Sequence, residues 1–298
     1  VAAREVTSVH EQAVHIGKVW APVPLKASGN RKLSPWQHQK KAGGHQAEVV
    51  VKNSFGTLSS ECKWTTPFCE GCYASAAEVY PNVYALLTHN TNLTRGRSFD
   101  ELVPLFDRLV HDAEVQMVKR GVPVGDRFYR PHWDGELDSF DELRAWNQVA
   151  LFHPDMQVFL YTRAHVLVRA WLLLTSSVGS PNFVIYLSVD SHNVDTAKQV
   201  EAVDPKGLIK YAFCGMTWQE TEEIAALFPK QRKGPRCPEL TGKVPLIVWE
   251  SDGERAARRS DAMAAGVKRP PDRVGVGACV ECGMCPKGIN NVRFAQER

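Results

Sequence analysis

Beyond residue 45 the chain alternates short apolar runs with longer amphipathic ones. The short runs are 47–52, 127–133, 156–162, 183–189, 209–213 and 245–249. They are rich in β-branched and aromatic residues and predict strands. Several are almost continuously hydrophobic, as strands buried on both faces of a parallel sheet are. Between them lie helical stretches with start signals. Ser98 with Glu101, Ser139 with Glu142 and Thr217 with Glu220 each place a hydroxyl three residues before a carboxylate, the capping-box spacing. After Ser98, the positions Leu102, Leu105, Phe106, Leu109, Val110, Ala113 and Met117 fall on one helical stripe. Leu143, Trp146, Val149 and Ala150 do the same after Ser139.

Strands separated by helices imply right-handed crossovers and a mainly parallel sheet. The fold class expected is α/β: a partial (β/α) barrel with mainly parallel strands and a cysteine-rich C-terminal tail. Three segments follow from the pattern. Residues 1–45, polar and broken by Pro22, Pro24, Gly29 and Gly43–Gly44, read as an N-terminal arm with one short helix near 35–41. Residues 46–250 form the barrel-like domain, with a cysteine loop at 62–72. Residues 251–298 are a helix, near 254–265, followed by the cysteine-rich tail packed on the barrel.

Composition narrows the function. Hydrophobic residues make up 44% and charged residues 23% of 298 positions, enough for a core without disulfides. A net charge of +3 argues against a protein that coats nucleic acid along its whole surface. Basic runs are local, at 230–236 and at Lys268–Arg269, and read as solvated loops. The most apolar window, around Trp171 to Leu174, is far shorter than the ~20 residues of a membrane span. The first residues lack the apolar stretch of a signal peptide, so the expected setting is cytoplasmic, with no membrane partner.

The eight cysteines are clustered. In a reducing compartment, clustered thiols read as metal ligands rather than disulfides. Cys62, Cys69 and Cys72 follow the first predicted strand, in a loop broken by Pro67 and Gly71. Thiolates so placed suit a soft metal or an iron–sulfur cluster. Three local thiols leave one position for water, a substrate, Cys214, a carboxylate or a histidine. Cys279, Cys282 and Cys285, followed by Pro286, echo the ferredoxin ligand run. Cys237, in a proline- and glycine-rich loop, is the expected fourth ligand there. A four-cysteine zinc site is the alternative for this second group.

His132, Asp134, Gly135, Glu136 and Asp138 end the second predicted strand. Ligands of parallel α/β folds bind at such carboxyl ends. Tyr161–Thr162–Arg163, Ser188 to His192 and Trp249 to Asp252 are expected at the equivalent ends of later strands.

This layout resembles the radical S-adenosylmethionine enzymes, which carry a three-cysteine loop after strand one and a Gly-Gly-Glu motif ending strand two. Cys62, Cys69, Cys72 and Asp134-Gly135-Glu136 hold those places here. The resemblance implies a [4Fe–4S] cluster with one open iron that S-adenosylmethionine chelates, and contacts from Gly135 and Glu136 to its methionine part. The sequence also resembles a family of phage proteins of unassigned function. Cys69, Cys72, Tyr73 and Ala74, then Gly135–Glu136, Tyr161–Thr162–Arg163 and Cys279, Cys282 and Cys285 carry that likeness in order, over about residues 45–290. Two functions are therefore expected. One is an iron–sulfur protein with one or two clusters, acting as an enzyme on an unidentified substrate. The other is a non-catalytic module stapled by iron–sulfur or zinc that binds nucleic acid or a host protein.

Overall fold

The structure is a computed structural model that describes residues 13–16, 19–39, 47–72, 74–174, 179–267, 270–271 and 273–297. Tyr73, Lys268 and Arg269 lie outside the described residues, as does part of the expected N-terminal arm. In chain order the elements are β1 (Ala13–Ile16), β2 (Val19–Pro22), β3 (Gln37–Gln39), β4 (Ala47–Val49), α1 (Pro81–Thr94), α2 (Phe99–Lys119), β5 (Phe128–Tyr129), α3 (Phe140–Phe152), β6 (Gln157–Thr162), α4 (His165–Leu174), β7 (Phe183–Val189) and α5 (Val194–Ala202). They continue as β8 (Lys210–Gly215), α6 (Trp218–Ala226), β9 (Ile247–Trp249), α7 (Asp252–Ala264), β10 (Val274–Gly277), α8 (Ala278–Cys282) and β11 (Val292–Ala295).

The main sheet is parallel, with order β11-β8-β7-β6-β5, and curls into a half-barrel. The expected fold class therefore holds. An irregular segment extends it beyond β5. Asn53 to Thr57 runs beside residues 130–134, with Phe55 N–H donating to Arg130 O (3.0 Å), Trp133 N–H to Phe55 O (2.9 Å) and Thr57 N–H to Asp134 O (3.1 Å). Side chains alternate between the two faces of each strand. Val158, Leu160, Ile185, Leu187, Tyr211 and Phe213 face the helices, in one core with the whole predicted stripe of α2. Phe159, Tyr161, Val184, Tyr186, Ala212 and Phe294 face the other way, into the hollow of the half-barrel. The cysteine-rich tail fills that hollow: Val280, Met284 and all three tail cysteines pack there together with Cys237.

Four expectations are corrected. The runs at 47–52 and 245–249 shorten to β4 and β9 and leave the main sheet. They belong to an antiparallel sheet of order β4-β3-β10-β9. No residue of β9 is buried, so this run does not meet the demand of a core strand. The run at 127–133 keeps regular strand geometry only over β5, and His132, three residues beyond it, turns left-handed (φ 50°). Where a short helix was expected near 35–41, residues 37–39 form β3; residues 40 and 41 lie outside the described residues. β11 was not anticipated at all. The three predicted caps form to different degrees. Ser98 makes both arms of its box. Ser139 and Thr217 accept from the N–H three residues on, but Glu142 and Glu220 turn their carboxylates to other partners. Among the described residues no helix is long and apolar enough to cross a membrane.

Candidate functional site

The loop 62–72 lies across the carboxyl ends of the parallel strands. A tight turn at Ser59–Glu61 leads into it and a second, Pro67–Gly71, lies within it, with Pro67 supplying the fixed φ that opens the second. Each of its anchors comes from a different strand end. Beyond β5, Lys63 pairs with Asp138, and Trp64 Nε1 donates to Leu137 O (3.2 Å). Beyond β6, Arg163 donates to Thr66 Oγ1 (3.2 Å) and lies over the Phe68 ring, 5.2 Å from its centre. Beyond β7, Asp190 Oδ2 accepts from Thr66 Oγ1 (2.7 Å) and from the Arg163 guanidinium. Beyond β11, Gln296 Nε2 donates to Phe68 O (3.4 Å).

This placement brings the three front thiols into one neighbourhood. Burial pushes the Cys62 thiol up, and Glu136, Cys72, Asp134 and Cys69 all add to that push, so these groups share one electrostatic environment. Cys69 Sγ lies 3.8 Å from Thr66 Oγ1. Cys214, buried at the end of β8, is pushed up to about 12 by burial, against Arg163 and with Asp190 and Cys69 contributing.

The Asp134-Gly135-Glu136 turn stands beside this loop. Glu136 is fully engaged by the protein: it accepts from Thr162 Oγ1 (2.7 Å), Arg163 N–H (2.7 Å) and Leu137 N–H (2.8 Å), joining the end of β5 to that of β6. Gly135 has φ +74°, and a Cβ there would meet Thr57 Oγ1 at 2.0 Å and Thr57 O at 2.7 Å. Asp134 is buried. Its Oδ1 accepts from Gly135 N–H (2.8 Å), while its Oδ2 meets no hydrogen-bond partner. Burial, reinforced by Glu78, holds its pKa near 7 instead of 3.8. His132 Nε2 pairs with Glu142 Oε1 at 2.9 Å. Burial is the largest influence and disfavours the imidazolium, but Glu142, Glu136 and Asp134 together outweigh it and the pKa rises.

The state of Asp134 predicts a pH effect on stability. Its folded pKa is raised, so relative to an ordinary aspartate its contribution is complete below about pH 4 and is lost as the pH climbs through 7. Asp134→Asn should therefore match the parent near pH 4.5 and exceed its stability at pH 8 by about 1–3 kcal/mol. Urea midpoints at the two pH values test this; equal midpoints at pH 8 would show a normally ionised carboxyl.

The second cysteine group lies deeper, in the hollow. The α8 helix starts where Gly277 passes so close to the backbone that a Cβ would sit 2.3 Å from Arg31 O and Lys32 O. It ends on Gly283 at φ 64°. Cys279 N–H donates to Lys32 O (2.8 Å) and Cys237 N–H to Arg293 O (3.0 Å). Cys237, Cys279, Cys282 and Cys285 fall within electrostatic range of one another. Burial pushes Cys279 and Cys285 up to about 12. Tyr161 and Tyr186, with ring centres 5.0 Å apart, pack against Cys282 and Cys285. All eight cysteines are free. Among the described residues no set of three or more His, Cys, Asp or Glu side chains is placed to share a single metal ion.

The site thus gathers Cys62, Cys69, Cys72, Asp134, Glu136, Arg163 and Asp190. It does not gather Trp249 to Asp252, which belong to the antiparallel sheet, where Glu250 grips Arg258 through two bonds (2.8 and 2.7 Å). Thr57 and Gln296 were missed. Neither carries a sequence signal, since one acts through its contact with a glycine and the other follows the unanticipated β11.

A sequence profile for a family described as Gene product 88 matches residues 24–288. The Gene 88 protein of Mycobacterium phage L5 is 30% identical over 276 residues, covering 91% of this chain and 97% of the relative. No solved structure matches.

Proposed function

The chain belongs to the Gene product 88 family of phage proteins, and we propose that it is an iron–sulfur protein. In this reading Cys62, Cys69 and Cys72 hold a [4Fe–4S] cluster at the carboxyl ends of the strands, and Cys237, Cys279, Cys282 and Cys285 hold a second in the hollow. The observation that carries it is the meeting of Cys237 with the three tail cysteines, all half-buried in the hollow, from two separate stretches of chain. Four half-buried cysteines brought together without a metal gain little from one another. A metal would convert them to thiolates and reverse their electrostatics. A cubic cluster suits thiols too widely spread for one ion, because each thiolate bonds a different iron.

Such a front cluster, held by three thiolates, would leave one iron for a substrate or cofactor oxygen or nitrogen. The protein's own contribution would be positional. Arg163 and Asp190 hold the loop, Glu136 and Gly135 shape the floor, and Asp134 holds a proton that can move near neutral pH. S-adenosylmethionine remains the cofactor this reading names, with Asp134, Gly135 and Glu136 as its contacts. Its support is the place of that turn beside the front thiols.

The test is iron, sulfide and zinc content after anaerobic isolation. The expectation is about four irons and four sulfides per filled site, with Cys69→Ala emptying the front site and Cys282→Ala the rear one. Protein holding zinc and no sulfide would replace this reading with the metal-stapled binding module. Loaded, reduced protein that leaves S-adenosylmethionine uncleaved would remove that cofactor and leave the clusters standing.

A further inference from the structure

We propose that the segment 230–243 and Trp218 form a docking edge for a single strand of nucleic acid. The segment carries Cys237 of the rear group, but its cations and Trp218 are not among the residues assigned to either cysteine group.

The segment is basic, with Lys230, Arg232, Lys233, Arg236 and Lys243, and all five are exposed. It is also ordered by its backbone in a way a merely solubilising loop does not need. Residues 235–237 run parallel to β11, with Arg293 N–H donating to Pro235 O (3.0 Å) and Cys237 N–H donating to Arg293 O (3.0 Å). Asn291 Nδ2 donates to Arg232 O (2.7 Å) and Arg293 Nε to Gly234 O (3.0 Å). Gly234, at φ 72°, comes so near Asn291 that a Cβ would meet its carbonyl oxygen at 2.1 Å. The cations are thus presented from a fixed rim along the edge of the sheet.

Their own carboxylates do not neutralise them. Glu222 is shared among Lys233 (2.8 Å), Arg236 (3.7 Å) and Arg293 (2.6 Å). Glu239, on the same segment, is taken by Lys32 at 2.6 Å. Lys230, Arg232 and Lys243 meet no carboxylate among the described residues. Holding like charges together this way is unfavourable unless an external anion relieves it. The chain's net charge is only +3, so the surplus at this edge is not a general excess of the whole chain.

An aromatic adjoins the rim. Arg236 lies over the Trp218 ring, 5.1 Å from its centre, and Met216 beside it is 53% exposed. Cations that follow a phosphate backbone, next to a half-buried ring with Arg236 over one face, are the elements that sequence-tolerant single-strand binding combines. A duplex reader would instead present a helix or ribbon to a groove.

The experiment is fluorescence anisotropy of a labelled oligothymidylate with the whole protein, over a series of salt concentrations. Saturable binding at low salt is expected, with log affinity falling against log salt at a slope of about −2 to −3. Lys230→Glu, Arg232→Glu and Lys243→Glu together remove side chains with no ion-pair partner, so folding is spared. They should weaken binding by at least about tenfold and flatten the slope by about 2. Trp218→Ala should weaken binding with the slope unchanged. Absence of binding at low salt, or a triple variant that binds like the parent, overturns the proposal. Displacement of the strand by polyglutamate at equal charge also overturns it, by showing a surface for acidic protein segments.

Discussion

Replacing Asp190 with alanine is expected to destabilise the protein by about 3–5 kcal/mol, the range for stranding one member of a buried ion pair. Its side chain is 1% exposed and that of Arg163 13%, so the guanidinium left behind has little water to turn to. The loss should also appear far from Asp190 in sequence. The same carboxylate accepts from Thr66, and Arg163 covers Phe68, so the loop around Cys69 loses two of its anchors at once. Denaturant unfolding gives the first number, and limited proteolysis within residues 62–72 gives the second. Removing the orphaned charge as well, in Asp190→Ala with Arg163→Met, should restore part of the stability without restoring the loop. A single variant within about 1 kcal/mol of the parent would show that the pair is solvated and the loop held by other means.

Gly135→Ala should cost about 3 kcal/mol or more. Two penalties add: a left-handed backbone that an L-side chain adopts reluctantly, and a Cβ driven into Thr57. Thr57→Ala on that background removes the 2.0 Å clash with the hydroxyl but leaves the 2.7 Å approach to the carbonyl, so recovery should be partial. Gly125→Ala is the control, because no atom lies within 4 Å of the added methyl and its φ is not positive; it should be close to neutral. The comparison is read from unfolding midpoints. A Gly135→Ala midpoint equal to that of Gly125→Ala would mean that the end of β5 yields freely.

The parts of the fold that were legible in sequence are those where one physical demand dominates. The stripe from Leu102 to Met117 is buried position by position, because only one face of that helix can meet the sheet. β7 was bounded correctly because its run has polar neighbours on both sides. β9 misled because apolar content does not report which sheet a strand joins; partners are chosen by long-range packing. β11 escaped because Val292, Arg293, Phe294 and Ala295 make too short and mixed a run to be read without its neighbour β8. At the site, the cysteine spacing and the Asp134-Gly135-Glu136 turn were visible because glycine and thiol chemistry are local. The Arg163–Asp190 clasp was visible only as two polar residues closing two apolar runs. Their union depends on β6 and β7 lying side by side.

The pairing of β11 with β8 has a consequence for how the protein is made. Every other strand of the half-barrel leaves the ribosome before β11 does, and so does every wall of the hollow that Cys279, Cys282 and Cys285 enter. Until then Tyr161, Tyr186 and Phe294's future neighbours face solvent without a cover. Closure must await a contact of long sequence separation, which is the slow kind. Until β11 pairs with β8, the nascent molecule therefore has an open, oily trough where the finished one has a filled hollow.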